Sequence, residues 1–198
     1  LAGISIGNYL GGLAADRFPS QTILGLILLG GGLSSLSVLP LLGLISGAFP
    51  GIPYLARIAF LTVTLFLLPS LILGMVTPVV VKQRLQDLAE AGSVVGKFYA
   101  VATAGSIFGT FVTGFVLIQW VGSRSTVVLV ALVLVLMAFA FGNLLRAKVP
   151  GIASIALFLG LGAVSFSSGA LDSDCTRESN YFCISVEEAL VEGHIGKT

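Results

Sequence analysis

No Asp, Glu, Lys, Arg or His stands near the middle of any of the long apolar runs in this chain. The run from Thr126 to Leu145 is the plainest case, built almost wholly of Val, Leu, Ala, Met and Phe. Helices that must face water on one side carry charge on that side. Here that side is missing, so lipid is the solvent for most of the surface. The composition agrees. A soluble domain carries about 25% charged residues, whereas this chain is 56% hydrophobic and 10% charged. The formal net charge of +1 comes from basic residues scattered singly or in pairs. None forms a stripe that could track a phosphate backbone, so no nucleic-acid partner is expected.

A helix needs about 20 apolar residues to cross the hydrocarbon core. By that measure Leu1 to Ala15 is the remaining part of a span. Full spans are predicted over Thr22 to Ser46, Ala56 to Val81, Val95 to Trp120, Thr126 to Leu145 and Pro150 to Ser168. The fold class is an all-α polytopic membrane protein of about six helices. Residues 1–168 form the membrane domain, and 169–198 form a short tail containing β-structure. The chain opens inside an apolar stretch and closes on Gly196-Lys197-Thr198, so it is expected to be truncated at both ends.

The connections are short. Asp16 to Ser20 and Gly47 to Tyr54 carry the turn residues Pro19, Pro50, Gly51 and Pro53. Lys82 to Gly92 sets Leu85, Leu88 and Ala89 opposite Lys82, Gln86 and Glu90, which predicts a short interfacial helix. Pro69, Gly74 and Pro78 punctuate the third span and predict a kink rather than a break. A kink serves packing, or it serves as a hinge in transport. Arg17, Lys82, Arg84, Lys97, Arg146 and Lys148 fall on one side of the membrane, against Arg57 and Arg124 on the other. The richer side should be cytoplasmic. The tail is then extracytoplasmic, and the localisation expected is a bacterial-type inner membrane.

Gly3, Gly7 and Gly11 recur every four residues in the first span, and Gly105 and Gly109 repeat the spacing in the fourth. Such strips let a second helix approach closely, within the chain or in a dimer. Asn8, Gln119 and Asn143 are the larger polar side chains in or near spans, suited to hydrogen bonds between helices. Catalytic chemistry is hard to place. The single histidine, His194, rules out a His-based metal cluster. Gly30-Gly31-Gly32 lies inside a span and is no phosphate loop. No serine has a base beside it. No catalytic, cofactor or metal residue is assigned.

In the tail the composition changes. Asp172, Asp174, Glu178, Glu187, Glu188 and Glu192 gather there, and Phe182, Ile184 and Val186 alternate as in a half-buried strand. Both cysteines, Cys175 and Cys183, lie in this stretch. Outside the cytoplasm they can form a disulfide; otherwise they are two reduced thiols.

Gly12-Leu13-Ala14-Ala15-Asp16-Arg17 resembles the loop signature of the major facilitator superfamily, although the glycine that usually follows the Asp-Arg pair is absent. Leu68 to Pro78, Val95 to Ala100 and Gly105 to Phe111 resemble the membrane region of fused major facilitator/spermidine synthase-like proteins. Glu178-Ser179-Asn180-Tyr181, followed by Ile184 and Val186, is similar to the opening strand of a polyamine aminopropyltransferase domain. The resemblance implies a major facilitator-like half bundle followed by the incomplete start of a synthase-like domain. The family's cofactor loop and catalytic Asp would lie downstream, so it transfers no catalytic residue. The function expected is a membrane anchoring or scaffold module. Its partners are the lipid bilayer and other membrane subunits, or missing parts of its own chain. The alternatives are a transporter half for a small solute and an aminopropyltransferase acting through absent residues.

Overall fold

The computed structural model describes residues 1–17, 21–46, 53–85, 91–142, 148–167, 177–178, 183–184, 188–191 and 194–197. The membrane domain is helical throughout these residues: α1 (Ala2–Arg17), α2 (Gln21–Ser46), α3 (Tyr54–Gly74), α4 (Val76–Arg84), α5 (Ala91–Phe111), α6 (Ile118–Val121), α7 (Ser123–Phe141) and α8 (Lys148–Ser167). A π-helical stretch, Val112–Leu117, joins α5 to α6. Continuous helix is what the composition requires, because lipid offers the backbone no hydrogen-bond partner.

Four helical segments are long and apolar enough to cross a membrane: Gln21–Gly43, Tyr54–Arg84, Ala91–Val121 and Ser123–Phe141. Two further elements matching predicted spans are shorter, α1 at 16 residues and the apolar stretch Ala156–Ser167 of α8.

Where the chain bends, a residue explains it. The α3 helix opens after Pro53, whose carbonyl accepts from the Arg57 amide at 3.0 Å. Proline has no amide to leave unsatisfied at that position. Between α3 and α4 the chain passes through Met75 with helical dihedrals, φ −71° and ψ −17°. The Met75 amide reaches back to the Ile72 carbonyl at 3.1 Å, a tightened turn. Pro78 lies four residues after Gly74, so the Gly74 carbonyl has no amide partner there. The result is one interrupted span. It runs on through Lys82 and Arg84, which therefore extend the span and do not begin a separate interfacial helix. Gln86, Leu88, Ala89 and Glu90 lie outside the described residues.

Gly122 makes the turn between α6 and α7 at φ 85° and ψ 161°, a region open to glycine alone. Its carbonyl accepts from the Thr126 amide at 3.1 Å and from Thr126 Oγ1 at 2.7 Å.

The spine of the bundle is α2. It packs against α3, α4, α7 and α8, while α1 packs on α3 and α4. Of the most apolar window of α2, 56% is buried, against none of the window in the α5 segment. Leu28 and Leu29 meet Ala138 of α7. Ile27 meets Ala15 of α1 and Val79 of α4. Leu36 and Leu39 close on Ala131, with Phe158 and Leu161 of α8 beside them. The outer surface is covered by exposed apolar side chains such as Phe60, Phe66, Phe108, Phe111 and Trp120. In water such a surface would aggregate; in a bilayer it is solvated.

Polar side chains are absorbed locally. Ser34 donates to the Gly31 carbonyl at 3.0 Å, Thr110 to Ser106 at 2.8 Å and Ser165 to Leu161 at 2.8 Å. Each bond stays within its own helix. Asn8 and Gln119, expected to bond between helices, are exposed instead; Asn143 lies outside the described residues. In the tail, β1 (Arg177–Glu178) pairs antiparallel with β2 (Cys183–Ile184). A separate ladder joins β3 (Glu188–Val191) to β4 (His194–Lys197).

Candidate functional site

Two glycine strips and one end of the bundle hold the residues singled out by the sequence. On α1 the strip is covered. Gly3, Gly7, Gly11 and Ala15 are all buried, and they face the α3–α4 segment backbone to backbone. A methyl at Gly3 would stand 3.1 Å from the Leu67 carbonyl oxygen, and at Gly11 it would stand 2.7 Å from the Met75 Cα. At Gly7 it would run into the Leu71 carbonyl and come 3.1 Å from the Gly74 Cα. Gly74 returns the contact, with the Ile4 oxygen 2.8 Å from its would-be methyl. Gly12, by contrast, has open space around it. Ala15 is a fourth member of the strip that the glycine spacing alone does not include. Its position four residues after Gly11 is the signal that would have found it.

On α5 and the π-helical stretch that follows it, nothing covers the strip. Gly105, Gly109 and Gly114 have no atom within 4 Å of a would-be methyl. Gly109 and Gly114 border an open groove of about 590 Å³ with Ser106, Thr110 and Thr113. Along the same helix Phe111 and Phe115 stack at 5.7 Å, both exposed.

The α1 strip ends at the basic end of the bundle. There Asp16 Oδ1 lies 2.9 Å from Lys82 Nζ, with 67% and 51% of the two side chains exposed. This ion pair fastens the end of α1 to the end of α4. Arg17 next to it is exposed. Beneath Lys82 opens a cavity of about 660 Å³. Leu24 and Leu28 of α2, Val76 and Val80 of α4 and Met137 of α7 line it together with the polar side chains of Gln21, Lys82, Gln83 and Arg84. Sequence reasoning named Asp16, Arg17 and Lys82, but neither the pairing of Asp16 with Lys82 nor the cavity. Both depend on how α2, α4 and α7 meet. A smaller apolar cleft of about 170 Å³ lies between α2, α3 and α7, beside Val38, Phe66 and Thr126.

Among the described residues no group of three or more His, Cys, Asp or Glu could hold a metal ion. Of the cysteines, Cys175 lies outside the described residues and Cys183 falls in β2 opposite Glu178. The expected Cys175–Cys183 bond therefore lies outside what the structure describes.

These features define a class, a helical membrane protein whose bundle is organised around α2. No family model, curated protein or solved structure matches the chain. The likeness to fused major facilitator/spermidine synthase-like proteins thus rests on the motifs quoted above.

Proposed function

We propose that this chain is the membrane-embedded anchoring and scaffold module of a spermidine synthase-like protein, docking to other membrane subunits and doing no chemistry itself. In this reading α1 and α8 also cross, giving about six spans in a bacterial-type inner membrane. The tail lies on the extracytoplasmic side. The observation that carries the proposal is the contrast between the strips. On α1 four small residues bring two helices into backbone contact, and α5 offers the same spacing with nothing on it. Local hydrogen bonds take up the hydroxyl protons of the buried Ser34, Thr126 and Ser165.

Cysteines placed at Gly109 and Thr113 test this in native membranes. Crosslinking to another membrane protein, absent for a cysteine at exposed Phe60 of α3, is expected. Equal crosslinking from all three positions would remove the basis for a docking face. Transfer from decarboxylated S-adenosylmethionine to putrescine above a no-protein control would overturn the non-catalytic half.

A second reading, a transporter half for a small solute, is favoured by the interruption at Met75 between Pro69 and Pro78. Solute uptake into proteoliposomes that a Pro78→Ala variant abolishes would favour it over the scaffold.

A further inference from the structure

We propose that the cavity at the basic end of the bundle is a binding site for an anionic glycerophospholipid. The phosphate would be held at Lys82 and Arg84, with an acyl chain along Leu24, Leu28, Val76, Val80 and Met137. This inference does not rest on the scaffold proposal.

Three observations carry it. The cavity is amphipathic in the sense a lipid requires, lined by apolar side chains alongside the cations Lys82 and Arg84 and the amides Gln21 and Gln83. Among its lining residues there is no Asp or Glu. Its volume of about 660 Å³ falls within the range of ligand sites, roughly 300–1,000 Å³. It also has a way in from the side. One wall is closed by Phe98 of α5 and Phe141 of α7, yet α5 packs appreciably only on α4 and its own continuation. Helices α5 and α7 make little contact with each other, so an acyl chain would enter the cavity between them.

The cations have another use, which the lipid does not displace. Lys82 and Arg84 sit in the last turn of α4, where positive charge favours the exposed carbonyls. Lys82 also pairs with Asp16. Arg84 makes no ion pair among the described residues, so it is the charge most available to a phosphate. Guanidinium also matches the oxygen geometry of a phosphate better than ammonium does. Neither the helix end nor the ion pair accounts for a cavity that joins an apolar lining to the two cations. Basic pockets between membrane helices are the usual seats of anionic headgroups.

The test uses the full chain in detergent, titrated with phosphatidylglycerol, phosphatidylcholine or glycerol phosphate and read by native mass spectrometry. The expected result is one phosphatidylglycerol retained where phosphatidylcholine is stripped. Arg84→Gln should weaken retention about fivefold, the effect of one surface charge on an anionic lipid. Val80→Phe, which fills the cavity from its apolar side, should weaken it with the rim charges untouched. Arg57→Gln, at the opposite end of the bundle, should change nothing. Equal retention of the two lipids would overturn the proposal, as would wild-type retention by both the Arg84 and Val80 variants. An equal loss on Arg57→Gln would reassign the effect to net charge and overturn it too. Glycerol phosphate binding as well as the lipid would make the site one for phosphate and overturn the acyl-chain half.

Discussion

The helices α1 and α5 both carry small residues four apart, Gly3-Gly7-Gly11-Ala15 and Gly105-Gly109, and meet opposite environments. Gly3, Gly7, Gly11 and Ala15 are pressed against α3 and α4, while Gly105, Gly109 and Gly114 face open space. The difference teaches that a four-residue repeat of small side chains encodes a capacity for close approach and says nothing about what approaches. In lipid no hydrophobic force drives helices together. Contact therefore forms only where a second surface fits. On α1 that surface is the α3–α4 segment, where Gly74 meets Gly7 and the interruption at Met75 lets the chain follow Gly11.

The sharpest way to break the comparison is to fill both strips. Gly7→Leu should cost about 3 kcal/mol or more. Overpacking usually costs about 1–3 kcal/mol, but here the obstacle is the backbone of Leu71 and Gly74, which cannot rotate away. Thermal unfolding in mild detergent reads this directly, and a wild-type melting curve would mean that α1 does not pack as described.

Next in size is the interface that uses no glycine strip. Ala131 on α7 is fully buried against Leu36 and Leu39 of α2, so Ala131→Leu should cost about 1–3 kcal/mol. Leu36→Ala at the same contact should cost less than the roughly 2–5 kcal/mol seen in water-soluble cores. The unfolded reference keeps the leucine in lipid, so only packing is lost. A cost for Leu36→Ala at the top of that range would refute this account of the driving force.

At the turn that separates α5 from α7, Gly122→Ala should cost about 1–3 kcal/mol, because φ 85° with ψ 161° excludes a Cβ. If α5 is held in place by this turn, the variant should also raise proteolysis near Gly122. Unchanged stability would show that the turn can adopt another conformation.

Smaller again is the fastening at the end of the α1 strip. Both partners of the Asp16–Lys82 pair are more than half exposed. Asp16→Asn should therefore cost about 0–1 kcal/mol and less at high salt. An effect comparable to Gly7→Leu would mean that the ion pair, and not the strip, holds α1.

The smallest effect completes the comparison. Gly109→Leu should leave the melting of the isolated chain within about 0.5 kcal/mol of wild type, since nothing lies in its way. In native membranes the same substitution should abolish the crosslinks proposed for α5. Destabilisation of the isolated chain would show that α5 packs within it after all.

The sequence by itself determined the solvent and the backbone. Runs without charge left only lipid to cover the surface, and lipid left only helix to satisfy the backbone. Those arguments need composition and length, which are local properties. They placed the four long spans to within a few residues, and they placed the Pro–Gly punctuation around Met75. What they could not determine was which faces meet. Lipid is as apolar as the helices it surrounds, so the buried side of a membrane helix carries no stripe of apolar residues to set it apart from the outer side. Only the tertiary structure decided that α2 is the spine, that Ala15 continues the strip of Gly3, Gly7 and Gly11, and that Asp16 finds Lys82. It alone opened a cavity under Lys82 and Arg84. The reason is physical: shape complementarity between whole helices chooses the partners, and it belongs to pairs of surfaces that the chain brings together only on folding.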